Sequence, residues 1–342
     1  MSHPIRTAVI GAGAFGRNHL RVYRELEATT GVQLAAVVDA SPETRSAASA
    51  QYNIPAFATI DDLLASGLEL HAASVCVPTI HHAAVASQLL VAGLDVLIEK
   101  PFAATLAEAE SVLALAKQHN RIVQIGHLER FNPAVAATVD RLNRPMFFEA
   151  HRLSLFTPRS LDVDVVLDLM IHDLDIVLSL AQSEVLDVRA TGIPILSAKT
   201  DIANVRVEFA SGAVANFTAS RVSTEQVRKL RLFQPHQYLS LDFARQELLS
   251  IAVDPALAAQ IAAGYRPPAT VPASHPTTGF DLQKLDLPRA EPLRLELEDF
   301  LRAVITRQPP RVTGEAGMAA LALALRINEA IAAHHERAGL LP

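Results

Sequence analysis

The order of elements at the start of the chain constrains its fold more than any other feature: a short apolar run, a glycine-rich turn and then a helical pattern. Residues 6–10 have the composition of a strand, and residues 17–27 carry apolar side chains at helical spacing. The glycines between them let the backbone approach a pyrophosphate, whose charge is stabilised by free N–H groups at the helix N-terminus. We expect the turn residues to bind a dinucleotide: Gly11, Gly13, Ala14, Phe15 and Gly16.

An acidic residue at the end of the second predicted strand indicates which dinucleotide. Asp39 follows residues 32–38 and lies 23 residues after Gly16. A carboxylate at this place accepts hydrogen bonds from the ribose hydroxyls of NAD, and its charge repels the additional phosphate of NADP. We therefore expect NAD as the cofactor.

The alternation of strand and helix patterns continues to about residue 125. Further strands are predicted at residues 74–77, 96–99 and 122–125, with helices near 42–52, 81–92 and 105–119. Such alternation predicts a doubly wound parallel sheet, in which ligands bind beyond the carboxyl ends of the strands. Pro78 and Thr79 follow the third strand, so we expect them at the cofactor together with His82.

The fourth predicted strand ends in Glu99, Lys100 and Pro101. A lysine at the tip of a buried strand loses hydration, which disfavours its ammonium form and makes it a plausible proton carrier near neutral pH. Pro101 cannot continue the strand, since it has no N–H to donate. We expect Glu99 and Lys100 at the cofactor and Lys100 also at the substrate. The alternative is an ordinary lysine that extends from a strand end into water.

The pattern changes after a connecting helix predicted at residues 128–142. Alternating segments typical of strands lie at residues 146–156, 184–192, 202–209, 213–220, 229–233 and 238–243. They predict a second domain with an open, largely antiparallel sheet. Residues 254–292 are rich in Ala and Pro and receive no role.

A helix predicted at about residues 163–180 is apolar apart from a few ionisable side chains. Asp168, His172 and Asp175 are spaced i, i+4, i+7, which places them on one face, whereas Asp173 is expected to be exposed. Buried charges are costly unless they are paired or used. Together with a dinucleotide site and Lys100, the pair Asp168 and His172 indicates hydride transfer at a carbon that bears oxygen. Whether His172 or Lys100 removes the hydroxyl proton stays open.

Composition excludes several other classes. A formal charge of −6 gives no reason to expect nucleic acid or an anionic membrane as a partner. One cysteine, Cys76, excludes an internal disulfide, and the adjacent His81 and His82 have no further ligand set, so no metal site is expected. The chain start does not read as a signal peptide. We expect a cytoplasmic protein.

Three of these features together resemble a known family. The glycine turn, the Glu99-Lys100-Pro101 segment and the pair Asp168 and His172 are similar to the motifs of the Gfo/Idh/MocA oxidoreductases, over essentially the full length. The resemblance implies that Lys100, Asp168 and His172 are catalytic. It also implies a Rossmann NAD-binding domain at residues 1–125, a substrate domain at 126–312 whose open sheet supports a homodimer or homotetramer, and a terminal helix at 313–339 packed on the first domain.

Some positions depart from the generic family pattern, which has a glycine run before the second-domain helix and a glycine two residues after its aspartate. Here those places hold Asp162-Val163-Asp164 and Met170. With residues 126–133 and 151–153, they look like the subgroup of UDP-N-acetylglucosamine 3-dehydrogenases that prepare 2,3-diamino sugars for lipid A. This resemblance implies NAD-dependent oxidation of a nucleotide sugar at C3.

A nucleotide sugar brings a diphosphate, which needs hydrogen-bond donors. Arg130, Arg152 and Arg159 are the candidates because a planar guanidinium donates two parallel hydrogen bonds, and His127 is a further expected substrate contact. The arginines would otherwise pair with surplus carboxylates. Two alternative functions remain open: a dehydrogenase of a free sugar or inositol, and a non-catalytic NAD-linked sugar sensor.

Overall fold

The computed structural model describes residues 4–156, 163–266 and 280–340. The described chain forms two compact units, the first from Met1–Phe131 with Glu291–Ala322 and the second from Asn132–Ala290 with Leu323–Pro342. This division assigns residues 291–312 to the first unit, whereas the sequence interpretation placed them in the second domain. The functional domain boundaries stay a prediction.

The described residues contain two sheets and ten α-helices. The strands of the first sheet are β1 Ile5–Ile10, β2 Val32–Val38, β3 Ala56–Phe57, β4 Ala72–Val75, β5 Asp95–Glu99 and β6 Val123–Gly126. Those of the second are β7 Phe147–Leu155, β8 Val185–Ile193, β9 Ile202–Phe209, β10 Val214–Ser223, β11 Val227–Gln234, β12 Gln237–Asp242, β13 Glu247–Val253 and β14 Phe280–Leu285. The helices are α1 Gly16–Thr30, α2 Pro42–Tyr52, α3 Ile60–Ala65, α4 His82–Val91, α5 Leu106–Gln118, α6 Pro133–Val139, α7 Ile171–Ala181, α8 Pro255–Ala262, α9 Pro292–Thr306 and α10 Gly314–Ala338.

The first sheet has the order β3-β2-β1-β4-β5-β6, and its neighbouring strands are parallel. The strand order reverses at β1, and ligands bind at such a switch point. The predicted doubly wound parallel sheet is confirmed. The short strand β3 was not predicted because two residues are too few to show a periodic pattern.

Helix α1 is fixed to this sheet by a buried apolar face. Leu20, Tyr23 and Leu26 recur at helical spacing and are fully buried, in one cluster with Leu297 and Phe300 of α9. Burying each of these side chains contributes about 2 kcal/mol. The cluster therefore holds α1, and with it the glycine turn, in a fixed place on the sheet.

The second sheet has the order β14-β13-β12-β11-β7-β10-β9-β8 and is antiparallel except for the pair β7 and β10. In β9, Val205 and Val207 are buried, whereas Asn204 and Arg206, which alternate with them, are exposed. One face of the sheet is therefore packed and the other is open. The predicted open, largely antiparallel sheet is confirmed, although β13 and β14 were not predicted.

Two helix predictions were wrong in detail. Residues 128–142 do not form one helix: a 3₁₀ turn spans Leu128–Phe131, and α6 begins after Asn132, whose side chain accepts a hydrogen bond from the N–H of Ala134. An N-cap asparagine followed by proline is a strong helix start, which explains the break. The helix at residues 163–180 begins with a π-helical turn over Val166–Met170 and becomes regular only at α7.

Helix α10 is long and apolar enough to cross a membrane, and it is the one such helix in the described part of the chain. Its apolar residues are used within the protein, since Ala320, Leu321 and Ile327 are fully buried. A Cβ on Gly317 would lie 2.4 Å from the side chain of Ile125, so the helix packs closely at this glycine. One face of α10 is therefore packed within the protein.

Candidate active site

The glycine turn between β1 and α1 is too tight to admit side chains at two positions. A Cβ on Gly16 would lie 1.8 Å from the carbonyl oxygen of Gly11, and one on Gly11 would lie 2.8 Å from the backbone of Cys76. Gly11 also has a φ of +92°, which is strained for other residues. A Cβ on Gly13 would meet no described atom within 4 Å, so the turn is open at Gly13.

The N-terminus of α1 has the properties of a phosphate site. It has neither a side-chain cap nor an acidic residue in its first turn. The N–H groups and the positive end of the α1 dipole therefore suit a pyrophosphate.

A cavity of about 550 Å³ lies beside this turn in the first unit. Four of the residues predicted to bind the cofactor line it: Gly11, Gly13, Asp39 and Pro78. The Asp39 carboxylate accepts hydrogen bonds from the backbone N–H groups of Ala12, at 2.7 Å, and Ser41, at 2.8 Å. These bonds fix the carboxylate at the cavity wall, where it suits the ribose of a dinucleotide. The turn, the helix and the cavity together fit NAD.

His81 lines this cavity and His82 does not, so the contact of His82 with the cofactor stays a prediction. The His82 ring is buried, with Nδ1 2.9 Å from the carbonyl oxygen of Pro101 and Nε2 2.8 Å from that of Val77. Burial lowers the pKa of His82, and the contacts with the two carbonyl oxygens oppose this shift. His82 therefore joins two loops at the strand tips. The sequence could not separate two adjacent histidines because only the helix start decides which one turns inward.

Lys100 lies directly after β5 and is half-buried, and its peptide bond to Pro101 is cis. The preceding Glu99 is turned into the protein, where its Oε1 lies 2.9 Å from Nε2 of His19. Neither Glu99 nor Lys100 lines the cavity beside Asp39. Their predicted contact with the cofactor stays a prediction, as do those of Ala14, Phe15, Gly16 and Thr79, which also lie outside that cavity wall.

The single cysteine lies beside the same cavity. Cys76 follows β4 and lines the cavity. Burial raises the pKa of its thiol well above the ordinary value, and the charges of Glu99 and Glu296 add to the shift. The thiol is therefore neutral at physiological pH and a poor nucleophile.

The second unit carries Asp168 and His172, both half-buried. Asp168 belongs to the π-helical turn, whose start is held by Asp164: its Oδ1 accepts hydrogen bonds from the N–H groups of Val166 and Leu167 at 2.9 and 3.0 Å. Sequence reasoning did not identify Asp164 as this cap, although an aspartate before an apolar run is a signal of a helix start. Such π turns are frequent at functional sites.

The prediction that Asp168, His172 and Asp175 share one face assumed a regular α-helix. That assumption is wrong over Val166–Met170, because a π turn rotates less per residue. Asp168 and His172 remain half-buried, whereas Asp175 is only 2% exposed. The structure therefore separates Asp175 from the other two by burial.

The predicted exposure of Asp173 is wrong. Its carboxylate is buried and accepts two hydrogen bonds from Arg152, at 2.9 Å from Nε and 2.8 Å from Nη2. The guanidinium is also buried, and it lies 5.5 Å from the ring centroid of Phe243. This pair ties α7 to β7. For Arg152 the structure thus favours the alternative that the guanidinium pairs with a carboxylate over a role in binding the substrate diphosphate.

The remaining predicted substrate contacts differ in their surroundings. His127 is buried, and Arg130 is half-buried in the first unit, with a 3.5 Å contact from Nη2 to the carbonyl oxygen of Arg311. Arg159 lies outside the described residues, as does Asp162. The substrate roles of His127, Arg130 and Arg159 stay predictions.

Comparison with protein families identifies both halves of the chain. Residues 5–127 match the family described as "Oxidoreductase family, NAD-binding Rossmann fold", and residues 135–234 match the "GFO/IDH/MocA C-terminal domain". The first match covers the glycine turn, Asp39 and Lys100, and the second covers Asp168 and His172. The cofactor NAD and the hydride-transfer chemistry expected from the sequence are those of this family.

Individual relatives agree with this assignment. The chain is 37% identical to UDP-N-acetylglucosamine 3-dehydrogenase of Acidithiobacillus ferrooxidans over 97% of this chain and 99% of that one. A solved structure of that enzyme superimposes with a TM-score of 0.85 over the same shares of the two chains. Inositol 2-dehydrogenase of Corynebacterium glutamicum is 28% identical over 55% of this chain and 57% of its own. The chain belongs to the Gfo/Idh/MocA family of NAD-dependent oxidoreductases.

Proposed function

We propose that this protein oxidises the C3 hydroxyl of UDP-N-acetylglucosamine to a ketone, with NAD as hydride acceptor. The observation that carries the proposal is the full-length match to UDP-N-acetylglucosamine 3-dehydrogenase, at 37% identity. The inositol 2-dehydrogenase match covers about half of each chain, which supports the alternative less. Lys100, Asp168 and His172 are all present, which argues against a non-catalytic sensor.

The reaction requires three groups besides the cofactor. The C3–H bond breaks and its electron pair leaves as hydride, for which bound NAD is the acceptor. The hydroxyl proton passes to a base, and His172 is the better base by its ordinary pKa. Lys100 stabilises the developing negative charge on the oxygen, and Asp168 orients His172 or accepts a hydrogen bond from the sugar. The roles of Lys100 and His172 are interchangeable in this scheme.

The diphosphate of the substrate needs hydrogen-bond donors. Arg152 donates two hydrogen bonds to Asp173, so we assign the diphosphate to Arg130 and Arg159, with His127 as a further substrate contact. Arginine suits this task because its fork can donate two parallel hydrogen bonds to phosphate oxygens. Arg159→Ala should then raise the KM for the nucleotide sugar more than it lowers kcat.

A substrate panel tests the proposal. Reduction of NAD, followed by absorbance, should be fastest with UDP-N-acetylglucosamine and much slower with free N-acetylglucosamine or inositol. UDP alone should compete with the substrate, because the diphosphate contributes to binding. Equal rates on the three compounds, with no inhibition by UDP, would refute the nucleotide-sugar assignment and favour a free-sugar dehydrogenase.

We also propose that the protein is a homodimer or homotetramer formed through the open face of the second sheet. Phe147, Phe233 and Tyr238 are cross-strand neighbours on β7, β11 and β12, with ring centroids 5.5 and 4.9 Å apart, and Phe233 is 38% exposed. A row of partly exposed aromatic rings is typical of an interface. Phe233→Glu should lower the mass measured by light scattering. An unchanged mass, or a monomeric parent protein, would contradict this interface.

The product of the reaction indicates the pathway and the cellular location of the protein. A 3-keto nucleotide sugar is a substrate for an aminotransferase, so we place the protein in the synthesis of 2,3-diamino sugars for lipid A. This synthesis supports a cytoplasmic location, and the net charge of −6 supports the absence of nucleic acid or anionic membrane partners. Aminotransferase-dependent formation of the 3-amino sugar in a coupled assay would test the assignment.

A further inference from the structure

Two ionisable side chains meet in the interior of the first unit, close to the proposed catalytic lysine. Nε2 of His19 lies 2.9 Å from Oε1 of Glu99, with the imidazole fully buried and the carboxylate side chain 10% exposed. Removing a carboxylate from water is costly unless a donor replaces the water. The imidazole N–H supplies that donor, so the two groups hold each other in place.

The neighbouring strand β6 also restricts the position of the Glu99 carboxylate. Glu99 pairs with Gly126 of β6, and a Cβ on Gly126 would lie 2.9 Å from the carboxylate carbon and from both of its oxygens. Only glycine leaves this space. The end of β5 is therefore fixed from two directions, by α1 through His19 and by β6 through the space above Gly126.

The two partners belong to segments with proposed roles in the reaction. His19 lies in the first turn of α1, the helix whose N-terminus suits the pyrophosphate. Glu99 directly precedes Lys100, so fixing its side chain also fixes the backbone from which the lysine extends. We propose that His19 and Glu99 are positioning residues: their pair holds Lys100 in register with the cofactor-binding helix. The inference rests on the proposed catalytic role of Lys100.

A positioning role differs from the direct cofactor contact expected for Glu99. The carboxylate faces His19 and Gly126, and Glu99 as a whole is only 7% exposed. Its loss should therefore affect the chemical step more than the affinity for NAD. A shift of the reacting groups by about 1 Å costs up to about 100-fold in rate.

The first test compares variants of His19 with a matched control. His19→Leu should lower kcat about 10- to 100-fold while the Kd for NAD changes little. His19→Gln should recover most of the loss, because its side-chain amide can donate to Glu99 from a similar place. Tyr23→Phe is the control. Tyr23 lies on the same helix, and the substitution removes its buried 2.8 Å hydrogen bond to Ser74 but leaves the contact between His19 and Glu99 intact. This variant should have a lower Tm and an unchanged kcat. Equal losses of kcat in His19→Leu and Tyr23→Phe would overturn the proposal.

The second test asks whether His19 acts through Lys100. In a Lys100→Met background, His19→Leu should cause little further loss of the residual rate, since residues that act as a unit are not additive. Multiplicative losses would refute the inference. If Lys100→Met alone keeps normal turnover, the proposed function of Lys100 fails instead, and the two failures are thus distinguishable.

A substitution at Glu99 keeps the proposal testable if His19→Leu does not fold. Glu99→Gln retains the shape of the side chain and one hydrogen bond to His19 but removes the charge. It should lower kcat about fivefold or more, with the Kd for NAD unchanged, because a neutral pair fixes the strand tip less firmly. A weaker Kd for NAD at normal kcat would show that Glu99 binds the cofactor directly and would overturn the positioning role.

Discussion

The two units hold their functional groups in different ways. In the first unit the proposed cofactor site is built mainly from backbone: a glycine turn and an uncapped helix N-terminus, beside which two N–H groups fix the Asp39 carboxylate. In the second unit the helix that carries Asp168 and His172 is held by side chains, through Asp164 at its start and the Arg152–Asp173 pair along it. Backbone sites depend on a few glycines, whereas the second site depends on buried charges, whose loss is costly.

The largest expected effect concerns the chemistry and separates it from cofactor binding. Lys100→Met in the first unit and His172→Ala in the second should each lower kcat by about 10²–10⁴-fold. Both should leave the Kd for NAD, measured by calorimetry, nearly unchanged, because the glycine turn and Asp39 are intact. A variant with normal turnover would remove its residue from the mechanism, and a variant that no longer folds would indicate a structural role.

The buried ion pair between Arg152 and Asp173 tests whether side-chain charges stabilise the second unit. Asp173→Asn should lower the free energy of unfolding by about 3–5 kcal/mol, because it removes the charged group that accepts two hydrogen bonds from the buried Arg152 guanidinium. Hydrogen exchange should rise in α7 and β7 before it rises in the first sheet. Asp187→Asn is the control: its partner Arg189 is 80% exposed, and such pairs contribute at most about 1 kcal/mol. Similar losses in both variants would contradict the account of α7.

A second carboxylate in the same unit predicts a pH dependence. Burial would raise the pKa of Asp201, but hydrogen bonds from the backbone of Leu196, Ile195 and Ser197 outweigh it and lower the pKa to about 2. A lowered pKa contributes stability above the ordinary value of 3.8, and this contribution, about 2 kcal/mol, is lost as the pH falls toward 2. Asp201→Asn should therefore lower the free energy of unfolding at pH 7 and flatten its dependence on pH between 4 and 2. Urea unfolding at a series of pH values measures both, and an unchanged pH dependence would refute the assignment.

The smallest expected effect concerns cofactor choice in the first unit. NAD should bind more tightly than NADP, because the additional phosphate meets the Asp39 carboxylate. Arg45 cannot readily compensate, since its guanidinium donates to the backbone oxygen of Asp39. Asp39→Asn should reduce the preference by about tenfold, or about 1.4 kcal/mol. Glu43→Gln, at the exposed start of α2, should not change it. Equal affinity of the parent protein for the two cofactors would overturn the role of Asp39.

The same contrast explains how much could be predicted from the sequence. The first sheet, apart from the short strand β3, and its glycine turn were predicted correctly because continuous apolar strands and glycines leave direct signals. The orientation of the side chains around the first sheet was not predicted. Only the structure shows that His82 turns inward while His81 lines the cavity. The pairing of Glu99 with His19 was not predicted either, since the two residues are 80 positions apart in the chain.

In the second unit the apolar alternation predicted most strands, but the spacing of Asp168, His172 and Asp175 misled. Helical periodicity carries no signal for a π turn, which depends on local hydrogen bonds such as those of Asp164. Asp173 was expected in solvent because a lone aspartate usually is. Its partner Arg152 lies on a strand 21 residues earlier, and no local pattern indicates a pair between separate elements.

The most direct test of the proposed reaction follows the transferred hydrogen. UDP-N-acetylglucosamine with deuterium at C3 should give deuterated NADH and a 3-keto product that has lost the label, both measured by mass spectrometry. The same sugar with deuterium at C4 should give unlabelled NADH. Unlabelled NADH from the C3-labelled sugar, or deuterated NADH from the C4-labelled one, would contradict oxidation at C3.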